Sequence, residues 1–188
     1  MEEEETKVVP DVDYPKSIRK QKLIYKKTVG YVIFDYLMVR GLFIIFPGAF
    51  LYAGGQEWSA ERNFVVLILS CLPAIWVVIS LFYINALVAV KGGGIVKNKE
   101  DVMNTLKHFY DDLTFDASGE NMIRDVKPTG WSGSGRVLTV LLNNEQVYFH
   151  KATLMRASVI MPVWGLMDYL KAKEMAAYFA ELQNKTEA

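Results

Sequence analysis

From Phe64 to Val90 the chain carries no charged side chain. At ~1.5 Å of rise per helical residue, this run reaches ~40 Å. The hydrocarbon core of a bilayer is ~30 Å thick and takes ~20 apolar residues to cross. The run therefore predicts a transmembrane helix, and with it a membrane protein. Compartment, topology and the kind of neighbours follow from this; an activity does not.

A second apolar segment precedes it. Val29–Ala53 is mostly apolar but includes Asp35 and Arg40, and its uncharged part, Gly41–Ala53, is too short to span alone. With Tyr31–Met38 it is long enough. The expected spans are 31–53 and 64–88, joined by the short polar link GGQEWSAERN into an antiparallel hairpin. Lys16, Arg19, Lys20, Lys22, Lys26 and Lys27 precede the first span, the link holds only Arg62 beside Glu57 and Glu61, and Lys91, Lys97 and Lys99 follow the second. Positive charge near the helix ends then places both termini in the cytoplasm, with a multi-pass topology. Tyr52, Trp58 and Tyr83 are expected as interface anchors. Pro47 and Pro73 fall near the middles of the spans, where membrane helices tolerate a proline kink.

Charge divides the rest. Glu2, Glu3, Glu4, Glu5, Asp11 and Asp13 face a single base, Lys7, so residues 1–15 read as an acidic disordered tail. Residues 16–30 form a basic juxtamembrane segment, whose bases are expected to contact anionic lipid head groups at ~1 kcal/mol each. Ile18, Leu23, Ile24 and Tyr25 are interleaved with them, as in a helix lying on a membrane surface. Beyond the hairpin (31–90), Gly92–Gly94 mark a flexible joint over 91–97. Residues 98–188 are expected to form a small cytoplasmic α+β domain. Asn98 reads as the N-cap of a helix to residue 113 with the apolar stripe Val102, Leu106, Phe109, Tyr110 and Leu113. Met122–Lys127 is a possible strand. Arg136–Leu142 and Gln146–Thr153 flank a turn at Asn143–Glu145, and a further strand covers Ser158–Val163, with Pro162 at its end. Gly165–Gln183 is an amphipathic helix.

Few residues point to chemistry. Asp35 and Arg40 are costly against lipid; depth matching sets Arg40 near Ser80 and Asp35 near Asn85, so Asp35, Arg40 and Asn85 form a candidate intramembrane polar set. Snorkelling and helix–helix hydrogen bonds account for them more simply. The GWSGSGR segment offers Ser132, Ser134 and Arg136 as a possible anion loop, without the GK[ST] of a phosphate-binding loop. The lone Cys71 lies in the apolar run, and His108 and His150 are far apart in sequence, so no metal site, cofactor or catalytic set is expected. Asp111 and Asp112 are adjacent and make a poor acid–base pair. Asn184-Lys185-Thr186 matches a glycosylation sequon, on the wrong side of the membrane for use. A cleavable signal peptide is not expected behind so long a charged leader.

The order of basic leader, two membrane helices, small β-containing domain and terminal helix resembles that of small bacterial two-span proteins with a YcxB-like or bacterial PH-like domain. Val137–Trp164 carries the resemblance, a strand hairpin leading into VIMPVWGL, together with the helix through Leu182. In that family a similar strand ends in a proline-containing turn before the last helix, and the resemblance implies a PH-like barrel. The helix before the strands departs from that pattern. The functional expectation is a non-catalytic accessory or scaffold protein. Its partners would be the bilayer, anionic lipids and a membrane or cytoplasmic protein or a second copy, with no nucleic acid. The alternative is a subunit of an oligomeric transporter or channel built on Asp35, Arg40 and Asn85.

Overall fold

A computed structural model describes residues 11–26, 41–61, 64–119, 121–128, 135–155 and 159–187. Its centre is an antiparallel sheet of the order β1-β5-β4-β3-β2. The strands are β1 (Val88–Lys91), β2 (Phe115–Gly119), β3 (Met122–Lys127), β4 (Gly135–Leu142) and β5 (Gln146–Met155). A two-residue β6 (Val159–Ile160) pairs with the end of β5, on the edge that β1 also uses. The β4–β5 hairpin is the longest ladder, from Gly135↔Leu154 to Leu142↔Val147. Its turn closes with the Asn143 N–H on Gln146 O at 2.9 Å, while Asn143 Oδ1 accepts from the Asn144 N–H at 2.8 Å.

Both faces of the sheet are covered. On one, helices α4 (Ile95–Phe109) and α5 (Gly165–Glu187) bury Val102, Leu106, Ala172, Met175, Ala176 and Phe179 against Ile123, Leu138, Val140, Leu142, Val147 and Phe149. On the other lie Val126, Val137, Leu141, Tyr148, Ala152 and Leu154, and these are closed off by the N-terminal leader through Val12, Leu23 and Tyr25. The leader contains a short helix, α1 (Tyr14–Lys20), begun by Asp13, whose side chain accepts the Lys16 N–H. Tyr14 donates its hydroxyl to Leu142 O at 2.5 Å, and Leu23 N–H reaches Asn85 O at 2.8 Å.

Two longer helices stand beside this domain, α2 (Gly41–Glu61) and α3 (Phe64–Tyr83), and they pack on each other. Among the described residues α3 alone is long and apolar enough to cross a membrane. Most of its large side chains, from Phe64 and Val65 through Leu72 to Phe82, are exposed.

The α+β class is as read from sequence, but several boundaries differ. The polar link is not a loop, because α2 continues through Gly54–Glu61; Gln, Ala and Glu there favour helix, and interior glycine costs only ~1 kcal/mol. The second helix stops at Tyr83, and Val88–Lys91 forms β1 instead. A continuous apolar run does not distinguish helix from buried strand, and here the β-branched Val88 and Val90 find partners in Phe149 and Val147. The joint 91–97 shrinks to Gly92–Gly94, since Lys91 is in β1 and α4 begins at Ile95. Gly94, at φ +107, takes the N-cap position in a conformation that favours glycine. Asn98 lies inside the helix, its Oδ1 accepting from Gly93 N–H at 2.8 Å. The helix ends at Phe109, leaving Asp111 and Asp112, whose charge would oppose its C-terminal dipole, in the loop beyond. Phe115–Gly119 is a strand rather than a loop. Of the expected acidic tail, residues 1–10 lie outside the described residues, and the segment from Asp11 onward belongs to the fold, with Val12 buried in the second core.

Candidate functional site

The junction of α3 with the domain concentrates the contacts of interest. Trp76 donates its indole N–H to Val163 O at 3.0 Å. A side chain at Gly165 would overlap the Ser80 carbonyl oxygen, so the first turn of α5 approaches the backbone of α3 as only glycine permits. Tyr83 and Tyr169 rings follow at 4.7 Å between centroids. Immediately after α3, Ile84 O meets His150 Nε2 at 3.1 Å, and Ala86 pairs with Lys22 of the leader. Leader, β5, α5 and the end of α3 are thus locked together.

Beneath the leader runs a polar row across three strands. Arg124, Thr139 and His150 are directly opposite one another in register, and all three are buried. Arg124 Nε and Nη2, Thr139 Oγ1 and His150 Nδ1 have no hydrogen-bond partner among the described residues. Burial pulls the His150 imidazole down to about 4, so it is neutral at physiological pH, with Nε2 donating to Ile84 O.

On the opposite face, at the same end of the sheet, charges are paired. Arg136 contacts Asp112 at 2.6 Å and Asp125 at 3.3 Å and lies 4.4 Å from the centre of the Tyr110 ring. Lys127 also binds Asp112. Hydrogen bonds from Arg136 and Lys127 hold the Asp112 carboxyl well below the ordinary carboxylate range. Burial pushes the Tyr110 phenol up to about 12. Beside them Asp168, on α5, takes Lys151, the Thr153 N–H at 2.7 Å and the Thr153 hydroxyl at 2.8 Å. His108 stacks on Tyr178, with centroids 4.1 Å apart. These arrangements satisfy their charges internally, and no three His, Cys, Asp or Glu side chains converge as metal ligands among the described residues.

The expected site residues are scattered. Asp35, Arg40, Lys27, Ser132 and Ser134 lie outside the described residues. Asn85 is not on a membrane helix: it sits in the turn after α3, and its carbonyl serves the leader. Arg136 does not present a free guanidinium to an anion, because Asp112 and Asp125 already occupy it. Lys16, Arg19, Lys20, Lys22 and Lys26 are exposed, but Leu23 and Tyr25 face the sheet rather than lipid, so the leader is not a surface-lying amphipathic helix. Lys22 stands beside Ala86, whereas Lys91 is opposite Gln146 at the far end of β1. Sequence reasoning missed the Arg124–Thr139–His150 row, which only the register between β3, β4 and β5 exposes. Trp164, in the turn before α5, and Met167 and Leu170 on α5 stay exposed.

No family model, curated protein or solved structure matches this chain.

Proposed function

We propose that this protein is an integral membrane scaffold: α2 and α3 anchor it in the bilayer, and the α+β domain, with both termini, stands on the cytoplasmic side. The observation that carries the reading is α3, uncharged over its whole length with its large apolar side chains exposed. A monomeric soluble protein rarely leaves so large an apolar surface open. The leader supports the hairpin. Leu23 and Lys22 contact Asn85 and Ala86, so chain entering and chain leaving the helical pair meet on one side. If α3 crosses, a return crossing falls between residues 27 and 63. In that interval α2 is uncharged from Gly41 to Gln56, ~24 Å of helix. The exposed bases of the leader favour the cytoplasmic orientation.

A non-catalytic role is supported by the internal pairing of Asp112, Asp125, Asp168 and His150. The proposed protein contact, with a partner or a second copy, is the edge at β2, beyond which no strand pairs among the described residues. The aromatic side chains of α5 are a poorer contact surface than its sequence suggests, because Phe179 is buried on Phe149 and Tyr178 lies on His108. The YcxB-like or PH-like resemblance belongs to this proposal; a turn at Pro162–Trp164 leading into α5 supports it. The transport reading has no comparable support, since Asn85 lies off α3.

Protease treatment of sealed vesicles tests the arrangement. The domain should be cleaved only when the cytoplasmic face is outward. Cleavage only from the opposite face would reverse the orientation. A photo-crosslinker at Ser118 should capture a protein or a second copy; its failure to do so in native membranes would remove the scaffold role.

A further inference from the structure

The first turns of α5 lie alongside α3 over its last third. The contacts Trp76–Val163, Ser80–Gly165 and Tyr83–Tyr169 advance together along both segments, so the two run in the same direction. Trp76 to Tyr83 is ~10 Å of helix. Only ~18 Å, from Phe64 to Trp76, projects beyond the domain, against the ~30 Å of a hydrocarbon core. A domain standing wholly in water would leave α3 too short to span.

The exposed surface resolves this. On α3 itself Val78, Ile79 and Phe82 remain open at the level of the domain, Phe82 at 74 %. In the turn before α5 and along its first turns the exposed positions at that level are Trp164 (45 %), Met167 (46 %) and Leu170 (45 %). The exposed positions that follow are Lys173, Glu174, Ala177, Glu181, Asn184 and Lys185, four of the six charged and no large apolar side chain among them. One helix face thus changes from apolar to charged within a turn, just where it passes the end of α3.

We infer that the domain is partly immersed: Trp164, Met167 and Leu170 contact lipid at the acyl–head-group boundary, and Lys171 and Lys173 mark the level of the head groups. The inference rests on the membrane reading of α3. Its depth, ~10 Å, matches that of helices lying in a membrane interface, and tryptophan and lysine have their usual places at such a boundary. The patch stands at the same level along the molecule as the exposed Val78, Ile79 and Phe82 of α3, and this shared level with the proposed anchor favours lipid over a protein as the occupant.

The test uses the full chain with Cys71→Ser, carrying an environment-sensitive fluorophore on Met167→Cys, Leu170→Cys, Leu72→Cys or Glu181→Cys. Each is reconstituted in phosphatidylcholine vesicles with nitroxide-labelled lipid, and iodide serves as the aqueous quencher. Circular dichroism checks folding, with Trp164→Cys in reserve should either α5 variant misfold. Labels at 167 and 170 should be quenched several-fold more by shallow nitroxide lipid than the label at 181, and should resist iodide. The label at 72 should respond to deep nitroxide lipid. Iodide quenching at 167 and 170 equal to that at 181, with 72 still lipid-quenched, would overturn immersion and leave the anchor standing. Silence toward both quenchers at 167 and 170 would mean protein covers the patch, and would overturn it too. Absence of lipid quenching at 72 would remove the anchor itself.

Discussion

Two arginines of the sheet sit in opposite circumstances, and this separates what each contributes. Arg136 neutralises Asp125, which is fully buried and also accepts the Thr114 N–H at 2.6 Å. Removing one partner of such a pair costs ~3–5 kcal/mol, because the other charge is left buried. Arg136→Met should lower unfolding stability in detergent by about that amount. Arg124 has Nε and Nη2 without partners among the described residues, and burying an unpaired charge carries a desolvation penalty of several kcal/mol that an apolar side chain of similar size does not. Arg124→Met should therefore leave stability unchanged or raise it; a loss as large as that of Arg136→Met would contradict this. His150 supplies a pH dependence. Its imidazole is held at about 4 against an ordinary 6.5, so between these values the unfolded chain binds a proton that the folded chain refuses. Stability is full above pH 6.5 and should fall by ~3 kcal/mol as the pH drops to about 4. His150→Gln should flatten that slope, as a chemical-denaturation series from pH 7 to 4 would show.

At the scale of elements, the leader behaves as part of the domain. Leu23 is buried against the sheet, and truncating a buried leucine costs ~2–5 kcal/mol. Leu23→Ala should destabilise the domain by that much, measured by thermal unfolding. Changing the exposed Lys16, Arg19, Lys20, Lys22 and Lys26 together to Gln should leave the melting point nearly unmoved and reduce salt-sensitive retention on anionic vesicles. This distinction is not legible in the sequence, where Leu23 and Tyr25 read as well on a membrane as on a sheet. Strong alternation was legible: the β4–β5 hairpin with its Asn143–Glu145 turn, β3, and α5 all stand where their patterns place them. Elements whose identity depends on a distant partner were not. Val88–Lys91 becomes a strand because β5 offers an edge, and Phe115–Gly119 because β3 does. The helix continuing to Glu61 was hidden by a glycine pair that reads as a break. Of the candidate sites, Asn85 and Arg136 had the right chemistry and the wrong neighbours, since the Leu23 contact and the two aspartates are set by tertiary structure alone.

For the whole molecule, everything functional hangs on whether α3 meets lipid. The domain has packed apolar cores on both sheet faces, while the α2–α3 pair projects from it with apolar side chains uncovered. Only a solvent of hydrocarbon satisfies such a surface without a large protein partner. The most direct measurement is flotation of the full chain after alkaline carbonate extraction of native membranes. The protein should stay with the lipid, and Leu72→Lys together with Ile75→Lys should release it. Release of the unmodified chain by carbonate, as a monodisperse species free of lipid, would contradict it.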